Sequence, residues 1–218
     1  MKLKYCFFDL DGTLIDSSEG IIHSVTYALE KMGLPPLEEG EGYRFIGPPL
    51  VQAFCERRAL SREESLRAVA YYRENYRAGG ILECSVYEGV VELLEALRSR
   101  GIVCVLATCK PHEFASRILR YHRLDSYFSF VSGPELDGTR NEKDEVIEYA
   151  VEQLGIAEKD AIVMVGDRAG DVLGAERNGV RTVGVLWGFG SREELEAAGA
   201  WQVVNKPEEI ADFFEEIS

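Results

Sequence analysis

Short apolar runs alternate with amphipathic stretches along most of the chain beyond residue 86. The apolar runs are rich in β-branched side chains, whereas the amphipathic stretches repeat their apolar residues every three or four positions. The runs therefore predict buried strands, and the amphipathic stretches predict helices. The predicted strands are 103–107, 128–131, 161–165 and 182–185, and the predicted helices are 88–100, 111–121, 141–154 and 171–178.

This alternation predicts an α/β domain with a doubly wound, Rossmann-like parallel sheet. Parallel strands need a crossover between them, and a helix usually supplies it. The run at 103–107 (VCVLA) is apolar on both sides of the strand, so helices should cover both faces of the sheet. A similar run at 4–8 supplies one more strand near the start of the chain.

Residues 17–84 show only helical patterns. Small polar residues at 16–19 precede an apolar period that Gly33 ends, and Ser61 with Glu64 has the spacing of a capping box before another helix. The sequence therefore predicts a small all-helical cap domain at 17–84. It is inserted after the first strand of a core domain formed by 1–16 and 85–218, with hinges near the two connections.

Polar side chains follow the carboxyl ends of three predicted strands. Asp9 and Asp11 come after the first strand, two positions apart, so in extended chain they project to the same side. Thr108 and Asp167 come after two later strands. Ligands bind where the carboxyl ends of such strands meet, and several carboxylates there favour a hard divalent cation such as Mg²⁺.

These residues lie in motifs that resemble those of the haloacid dehalogenase-like (HAD) superfamily. Residues 9–14 (DLDGTL) are similar to its first motif, and 106–108 (LAT), Lys143 and 165–171 (VGDRAGD) are similar to the others, in the same order. Further stretches look like the phosphoglycolate phosphatase and 5′-nucleotidase branch. These are 47–50 (GPPL), 137–140 (DGTR) and 187–191 (WGFGS).

The resemblance implies a Mg²⁺-dependent phosphatase acting on a small phosphate monoester. Asp9 is then the nucleophile that forms an aspartyl-phosphate, and Asp11 is the general acid and base. Thr108 holds phosphate oxygens, and Lys143 neutralises Asp9 and the transferring phosphoryl group. The implied metal ligands are Asp9, Asp11 (through its backbone carbonyl), Asp167 and Asp171.

Substrate contacts are expected from two places. In the core, they are expected from Gly12 and Thr13 and from the loop after Thr108, which contains Cys109 and Lys110. Lys110 competes with Lys143 for part of the neutralising role, and a solvated lysine is the alternative for each. In the cap, Arg44 and Gly47 are the candidates, because a guanidinium group beside a rigid Gly-Pro-Pro turn suits a second anionic group.

Other members of the superfamily fit less well. Dehalogenases lack the second aspartate, which this chain has in Asp11, and phosphonate hydrolases need a cap lysine, for which Lys31 is the one candidate. Sugar phosphomutases keep both aspartates but usually carry a Glu-Asp pair where this chain has 166–168 (GDR). A non-catalytic phosphate- or metal-sensing module is the alternative from outside enzymology.

Net charge and cysteine content limit the classes of partner and the cellular compartment that we expect. The formal net charge is −14, from 38 acidic and 24 basic residues, which disfavours nucleic acid and anionic membrane as partners. No apolar run approaches the ~20 residues of a membrane span. Five cysteines without metal-ligand spacing favour a reducing compartment. We expect a cytoplasmic monomer or homodimer.

Overall fold

The computed structural model describes residues 2–214, and the chain forms two compact units. One unit is discontinuous and comprises the chain up to Ile15 and from Val86 onward. The other comprises Asp16–Ser85. We call them the α/β unit and the helical unit, after the secondary structure that each contains.

The described residues contain eight strands and nine α-helices. The strands are β1 (Tyr5–Phe8), β2 (Ile15–Asp16), β3 (Ser85–Val86), β4 (Val103–Ala107), β5 (Phe128–Ser132), β6 (Ile162–Gly166), β7 (Arg181–Val185) and β8 (Gln202–Val204). The helices are α1 (Ser18–Lys31), α2 (Leu50–Arg58), α3 (Arg62–Ala78), α4 (Val90–Ser99), α5 (His112–Tyr121), α6 (Lys143–Gln153), α7 (Ala169–Arg177), α8 (Arg192–Ala197) and α9 (Glu208–Asp212).

The α/β unit is built on a six-stranded sheet in the order β5-β4-β1-β6-β7-β8, and every pair is parallel. This confirms the predicted α/β fold. The central strand β1 pairs Phe8 with Leu106 of β4 and with Val165 of β6. The carboxyl ends of these three strands are therefore level, and the residues that follow them start from the same edge of the sheet.

The sheet is buried because helices pack against it. On one face, Phe7 of β1 and its neighbours Val105 and Met164 form a core with Val146 and Ile147 of α6, and all five side chains are fully buried. Helix α7 joins the same core, and α4 contacts β4. Cys6 and Phe8, which flank Phe7 in β1 and point to the other face, are fully buried too. Both faces are therefore covered, which explains why the strands are apolar throughout rather than alternating.

Several boundaries differ from the sequence prediction. Helix α4 begins at Val90 rather than residue 88, because Gly89 adopts a left-handed conformation with φ of +85° and caps it. Helix α7 begins at Ala169, so Asp171 lies inside its first turn rather than starting it. Strand β8 was not predicted, since it has three residues of which one is buried.

The helical unit packs α1 against α3 and α2 against α3. The capping box predicted at Ser61 is present, with the Ser61 side chain accepting a hydrogen bond from Glu64 N and the Glu64 side chain bonded back to Ser61. Aromatic side chains fill its interior, where the Phe45 and Phe54 rings lie 5.1 Å apart. The unit therefore has a hydrophobic core of its own.

The chain passes between the two units at β2 and β3, which form a separate two-stranded sheet. The hinges predicted near residues 16–17 and 85–86 fall at these strands, and their motion remains a prediction. Among the described helices, none combines the length and the apolar composition needed to cross a membrane.

Candidate active site

Three polar residues leave the sheet at the same edge. Asp9 directly follows β1, Thr108 follows β4, and Asp167 follows β6. The backbone N–H of Asp9 still donates to Val165 O at 2.9 Å, and that of Thr108 to Ser132 O at 3.1 Å. The sheet ladder therefore fixes the backbones from which these side chains project, and a rigid scaffold is what a catalytic site requires.

Lys143 bridges two of the carboxylates in this cluster. Its Nζ lies 2.8 Å from Asp9 Oδ1, 2.7 Å from Asp171 Oδ1 and 3.0 Å from the carbonyl oxygen of Ala107. An ammonium group has three donors, so these three acceptors fix it completely. Burial opposes the charge, but Asp171 and Asp9 outweigh it and raise the pKa of Lys143 well above its ordinary value.

The position of Lys143 depends on its neighbours. It is the first residue of α6, where the helix dipole disfavours a cation, so the two carboxylates offset a local cost. Its side chain passes directly over Gly174 of α7, where an added Cβ would lie 2.6 Å from Lys143 Cγ. With 8% of its surface exposed, Lys143 is not the solvated lysine of the alternative interpretation.

Asp9, Asp167 and Asp171 form a cluster with carboxylate oxygens within 4.8 Å of one another. Burial, followed by repulsion from Asp171 and Asp9, raises the pKa of Asp167 well above its ordinary value. Burial also raises the pKa of Asp171, although Lys143 opposes the shift. Buried carboxylates at this separation repel each other, so the cluster suits a bound cation.

The donor set fits a divalent metal ion with oxygen ligands. Three carboxylates and one ammonium group meet here, since Lys143 contacts both Asp9 and Asp171. If all are ionised, the site carries a net charge of −2, which a divalent cation balances. Mg²⁺ prefers carboxylate oxygens and keeps positions for water or phosphate, and it therefore fits these residues.

Lys110 is a buried, ion-paired side chain rather than a solvated one. Its Nζ donates to both carboxylate oxygens of Asp11, at 2.9 and 2.7 Å, and the residue is 8% exposed. The solvated alternative for Lys110 is therefore wrong. Its backbone N–H donates to Thr108 Oγ1 at 3.2 Å, so the loop after β4 is folded tightly around the hydroxyl group.

Both oxygens of the Asp167 carboxylate accept hydrogen bonds. The Thr13 hydroxyl donates to Oδ1 at 3.3 Å, and the backbone N–H of Phe189 donates to Oδ2 at 2.8 Å. The Phe189 contact was not predicted, because a backbone donor leaves no mark in the side-chain pattern. The one available signal was the pair of glycines that flanks it, Gly188 and Gly190.

The predicted substrate contacts in the first loop have structural tasks. Gly12 N–H donates to Ile15 O at 2.8 Å, and Thr13 N–H donates to Leu10 O at 3.2 Å. Gly12 has φ of +85°, and an added Cβ would overlap the Asp167 carboxylate, so no other residue fits. These groups shape the loop that surrounds the site, and a direct substrate contact stays a prediction.

The remaining predicted substrate contacts lie in different places. Cys109 is half-buried beside Thr108, and burial raises the pKa of its thiol to about 12, so it is neutral at physiological pH. Arg44 and Gly47 belong to the helical unit, where both are exposed. Arg44 lies in the 3₁₀ helix Glu41–Phe45, and their contact with substrate stays a prediction.

The chain is similar to several known proteins. Residues 6–185 match the sequence model of the haloacid dehalogenase-like hydrolases. The chain is 45% identical over 197 residues to a 5′-nucleotidase of Pseudomonas aeruginosa, covering 90% of this chain and 89% of that protein. It is 38% identical over 190 residues to the tyrosine-protein kinase PtkA of Mycobacterium tuberculosis, covering 87% of this chain and 64% of that protein.

A solved structure is similar over the whole chain. It is the crystal structure of a predicted phosphatase from Clostridium acetobutylicum, with a TM-score of 0.94 and 41% sequence identity. The superposition covers 99% of this chain and 100% of that one. The matches therefore extend well beyond the motifs, and the matched residues 6–185 contain every residue of the acidic cluster.

Proposed function

The chain belongs to the haloacid dehalogenase-like hydrolase family, and we propose that it hydrolyses a small phosphate monoester with Mg²⁺ through an aspartyl-phosphate. It is an enzyme of the phosphatase class, as are its relatives named 5′-nucleotidase, pyrophosphatase and phosphoglycolate phosphatase. The observation that carries the proposed mechanism is the contact of Lys143 Nζ with Asp9 Oδ1 at 2.8 Å.

Asp9 is the proposed nucleophile. Its carboxylate attacks phosphorus while the bond to the ester oxygen breaks, and the product alcohol leaves an acyl phosphate on Asp9. Lys143 holds one oxygen, Oδ1, in place and reduces the repulsion between the carboxylate and an incoming phosphate anion. All three N–H groups of the Lys143 ammonium donate to protein oxygens, and an ammonium group has no lone pair. Lys143 therefore orients Asp9 and does not compete with it as a nucleophile.

Asp11 is the proposed general acid and base. In the first step it donates a proton to the leaving oxygen, and in the second it takes a proton from the water that attacks the aspartyl-phosphate. The Asp11 side chain is 16% exposed, so water and the leaving group have access to it. In its carboxylate form, the base of the second step, both oxygens accept hydrogen bonds from Lys110, and this fixes the direction in which Asp11 points.

Thr108 is the proposed phosphate-oxygen contact. A hydroxyl has one donor and two acceptor positions, and the backbone N–H of Lys110 occupies one acceptor position. Its own hydrogen can then point to a phosphate oxygen. The loop ends at Pro111, the N-cap of α5, and the amino end of a helix favours an anion nearby.

The metal is proposed to bind the carboxylates of Asp9, Asp167 and Asp171 directly or through water, together with the backbone carbonyl of Asp11. When bound, Mg²⁺ supplies positive charge that screens the nucleophile from phosphate and orients the phosphoryl group. The protein's own part is to hold the ligands, and Lys143 does so for two of them. The Asp171 carboxylate is fixed further by the backbone N–H of Arg168, at 3.0 Å.

The helical unit, Asp16–Ser85, is proposed to act as a cap that encloses a small substrate. The likeness to a 5′-nucleotidase at 45% identity makes nucleoside monophosphates the first substrates to test, and phosphoglycolate is the second. Every cysteine in the described chain carries a free thiol, which supports the proposal of a cytoplasmic enzyme. A monomer or homodimer remains the proposed assembly.

The test is a screen of the purified protein against small phosphate monoesters with Mg²⁺, reading released phosphate. The panel contains nucleoside 5′-monophosphates, phosphoglycolate and sugar phosphates, each with and without a chelator. Phosphate release that needs Mg²⁺ supports the proposal. Isomerised sugar phosphate without release would identify a phosphomutase, and binding without turnover of any compound would identify a sensing module.

A further inference from the structure

The loop after β7 contacts the acidic site at two points. The indole Nε1 of Trp187 donates to the carbonyl oxygen of Thr13 at 2.9 Å, and the backbone N–H of Phe189 donates to Asp167 Oδ2 at 2.8 Å. The Thr13 hydroxyl donates to the other oxygen, Asp167 Oδ1, at 3.3 Å. Hydrogen bonds therefore connect the loop to Asp167 directly and also through Thr13.

The backbone of this loop lies directly against Asp167, with no room for a side chain between them. At Gly188 an added Cβ would lie 2.5 Å from Asp167 Cβ, and at Gly190 it would overlap the carbonyl oxygen of Asp167. Any side chain at these two positions would push the loop away from Asp167. The close approach to Asp167 therefore explains why residues 188 and 190 are glycines, independently of any substrate contact.

From these contacts we propose that Trp187 is a positioning residue for the metal ligand Asp167. By holding the Thr13 carbonyl, the indole N–H fixes the backbone that carries the hydroxyl donor to Asp167 Oδ1. Each oxygen of Asp167 then uses one acceptor position on the protein and keeps the rest for a cation. Partners that hydrogen-bond to metal ligands fix their orientation and so raise metal affinity.

This inference rests on the proposed Mg²⁺ site, and its test reads metal binding rather than turnover. Trp187→Phe removes the N–H donor and keeps an aromatic ring. We expect its dissociation constant for Mg²⁺, measured by calorimetry, to rise about tenfold, at the lower end of the range for outer partners of metal ligands. At saturating Mg²⁺ the turnover number should recover, because the reacting groups themselves are unchanged.

Trp201→Phe is the matched control, because the chain has two tryptophans. The Trp201 ring packs 5.3 Å from that of Phe213 and beneath Arg181, the first residue of β7. The acidic cluster lies at the opposite, carboxyl ends of the strands, so the Trp201 variant should bind Mg²⁺ like the wild type. It also leaves Trp187 as the one source of indole fluorescence. That emission should then change with Mg²⁺ concentration along the same curve as the calorimetric titration.

A second variant tests the route through Thr13. Thr13→Val removes the hydroxyl donor at nearly constant shape, and it too should weaken Mg²⁺ binding. If Trp187 acts through Thr13, the double variant should bind Mg²⁺ more tightly than the two single losses multiplied would give. Melting in chelator shows whether each variant is folded, and independent losses would overturn the proposed route.

The outcomes separate this inference from the proposed function. If the wild type binds Mg²⁺ and Trp187→Phe binds it with unchanged affinity, the positioning role is wrong and the phosphatase proposal stands. If the wild type itself binds no Mg²⁺, both are wrong. Equal weakening by Trp187→Phe and Trp201→Phe would also overturn the positioning role, since it would reflect a general loss of structure.

Discussion

The ammonium group of Lys110 lies 2.9 and 2.7 Å from the two carboxylate oxygens of Asp11. Their side chains are 6% and 16% exposed. Water and salt therefore weaken the attraction between these two charges far less than they would in a surface ion pair. A carboxylate that must hold one orientation through two proton transfers benefits from such a partner. The pair therefore connects the loop after β4, which contains Thr108, to the proposed acid and base.

Replacing Lys110 with methionine should lower kcat/KM because Asp11 loses both donors at nearly constant side-chain volume. A hydrogen bond to a charged group contributes about 1.5–3 kcal/mol, which corresponds to a loss of roughly 10- to 150-fold. Lys206→Met, on the exposed surface, is the matched control and should behave as wild type. An unchanged kcat/KM in the Lys110 variant would show that Asp11 needs no partner.

Asp11→Asn should be impaired in a way that depends on the leaving group. An aliphatic alcohol needs a proton as it departs, so its ester should lose about 10²–10⁴-fold in the first step, the usual contribution of a general acid. An aryl phosphate with an acidic phenol should lose much less in the same step. Single-turnover rates for both esters provide the measurement, and equal losses would contradict the acid role.

Asp9→Asn should abolish turnover while leaving the fold intact. The amide keeps the size of the side chain and can still accept the hydrogen bond from Lys143, but it is a very poor nucleophile. We expect a fall in kcat of at least about 10⁴-fold, the scale seen when a nucleophile is removed. Asp125→Asn, an exposed substitution, is the control. Substantial residual activity would exclude Asp9 as the nucleophile.

The sequence predicted the parts of the site that depend on local pattern. Asp9, Thr108 and Asp167 each follow an apolar run, and the parallel sheet brings the ends of those runs together whatever the other contacts are. Lys143 was identified through the family motif, since nothing in a helix start alone distinguishes a buried lysine from a solvated one. The structure adds its three acceptors.

A contact between a backbone group and a side chain distant in sequence could not be predicted from the sequence. The N–H of Phe189 meets Asp167 from 22 residues away, and this depends on how the loop after β7 folds rather than on side-chain type. Whether Lys110 is buried or solvated could not be predicted either, because it depends on how the loop after β4 folds. Strand β8 was not predicted because its three residues are too few to show a strand pattern in the sequence.

Asp167→Asn should stabilise the metal-free protein. Burial raises the pKa of Asp167, so the folded state binds that proton more tightly than the unfolded chain does. Stability from this group is then present below its unfolded pKa of about 3.9 and is lost as pH rises toward the folded pKa. In chelator at pH 7 the variant should gain about 0.5–2 kcal/mol in unfolding free energy, as functional-site replacements often do.

The same variant should lose its response to Mg²⁺. At 100 times its dissociation constant, Mg²⁺ should stabilise the wild type by about 2.7 kcal/mol, and the variant should show little of this gain. Denaturant unfolding at pH 5 and pH 7, with and without Mg²⁺, gives all four values. Asp160→Asn, at an exposed site, controls for the loss of one negative charge. Equal Mg²⁺ stabilisation of both variants would remove Asp167 from the metal site.

Arg44 offers the sharpest test of substrate selection by the helical unit. It is exposed on the 3₁₀ helix Glu41–Phe45, close in sequence to residues 47–49 (GPP), and a guanidinium group pairs well with a carboxylate. Arg44→Ala should therefore weaken kcat/KM for a substrate with a second anionic group, such as phosphoglycolate, by about 1.5–3 kcal/mol. An aryl phosphate without a second anion should be barely affected.

The comparison needs a second arginine from the same unit. Arg57→Ala removes an exposed guanidinium group from α2 and should leave the ratio of the two kcat/KM values as in the wild type. A change in that ratio for Arg44→Ala alone would place the second anion at Arg44. If both substrates lose equally in the Arg44 variant, the residue is a solvated surface charge, and the selecting group must be sought elsewhere in the helical unit.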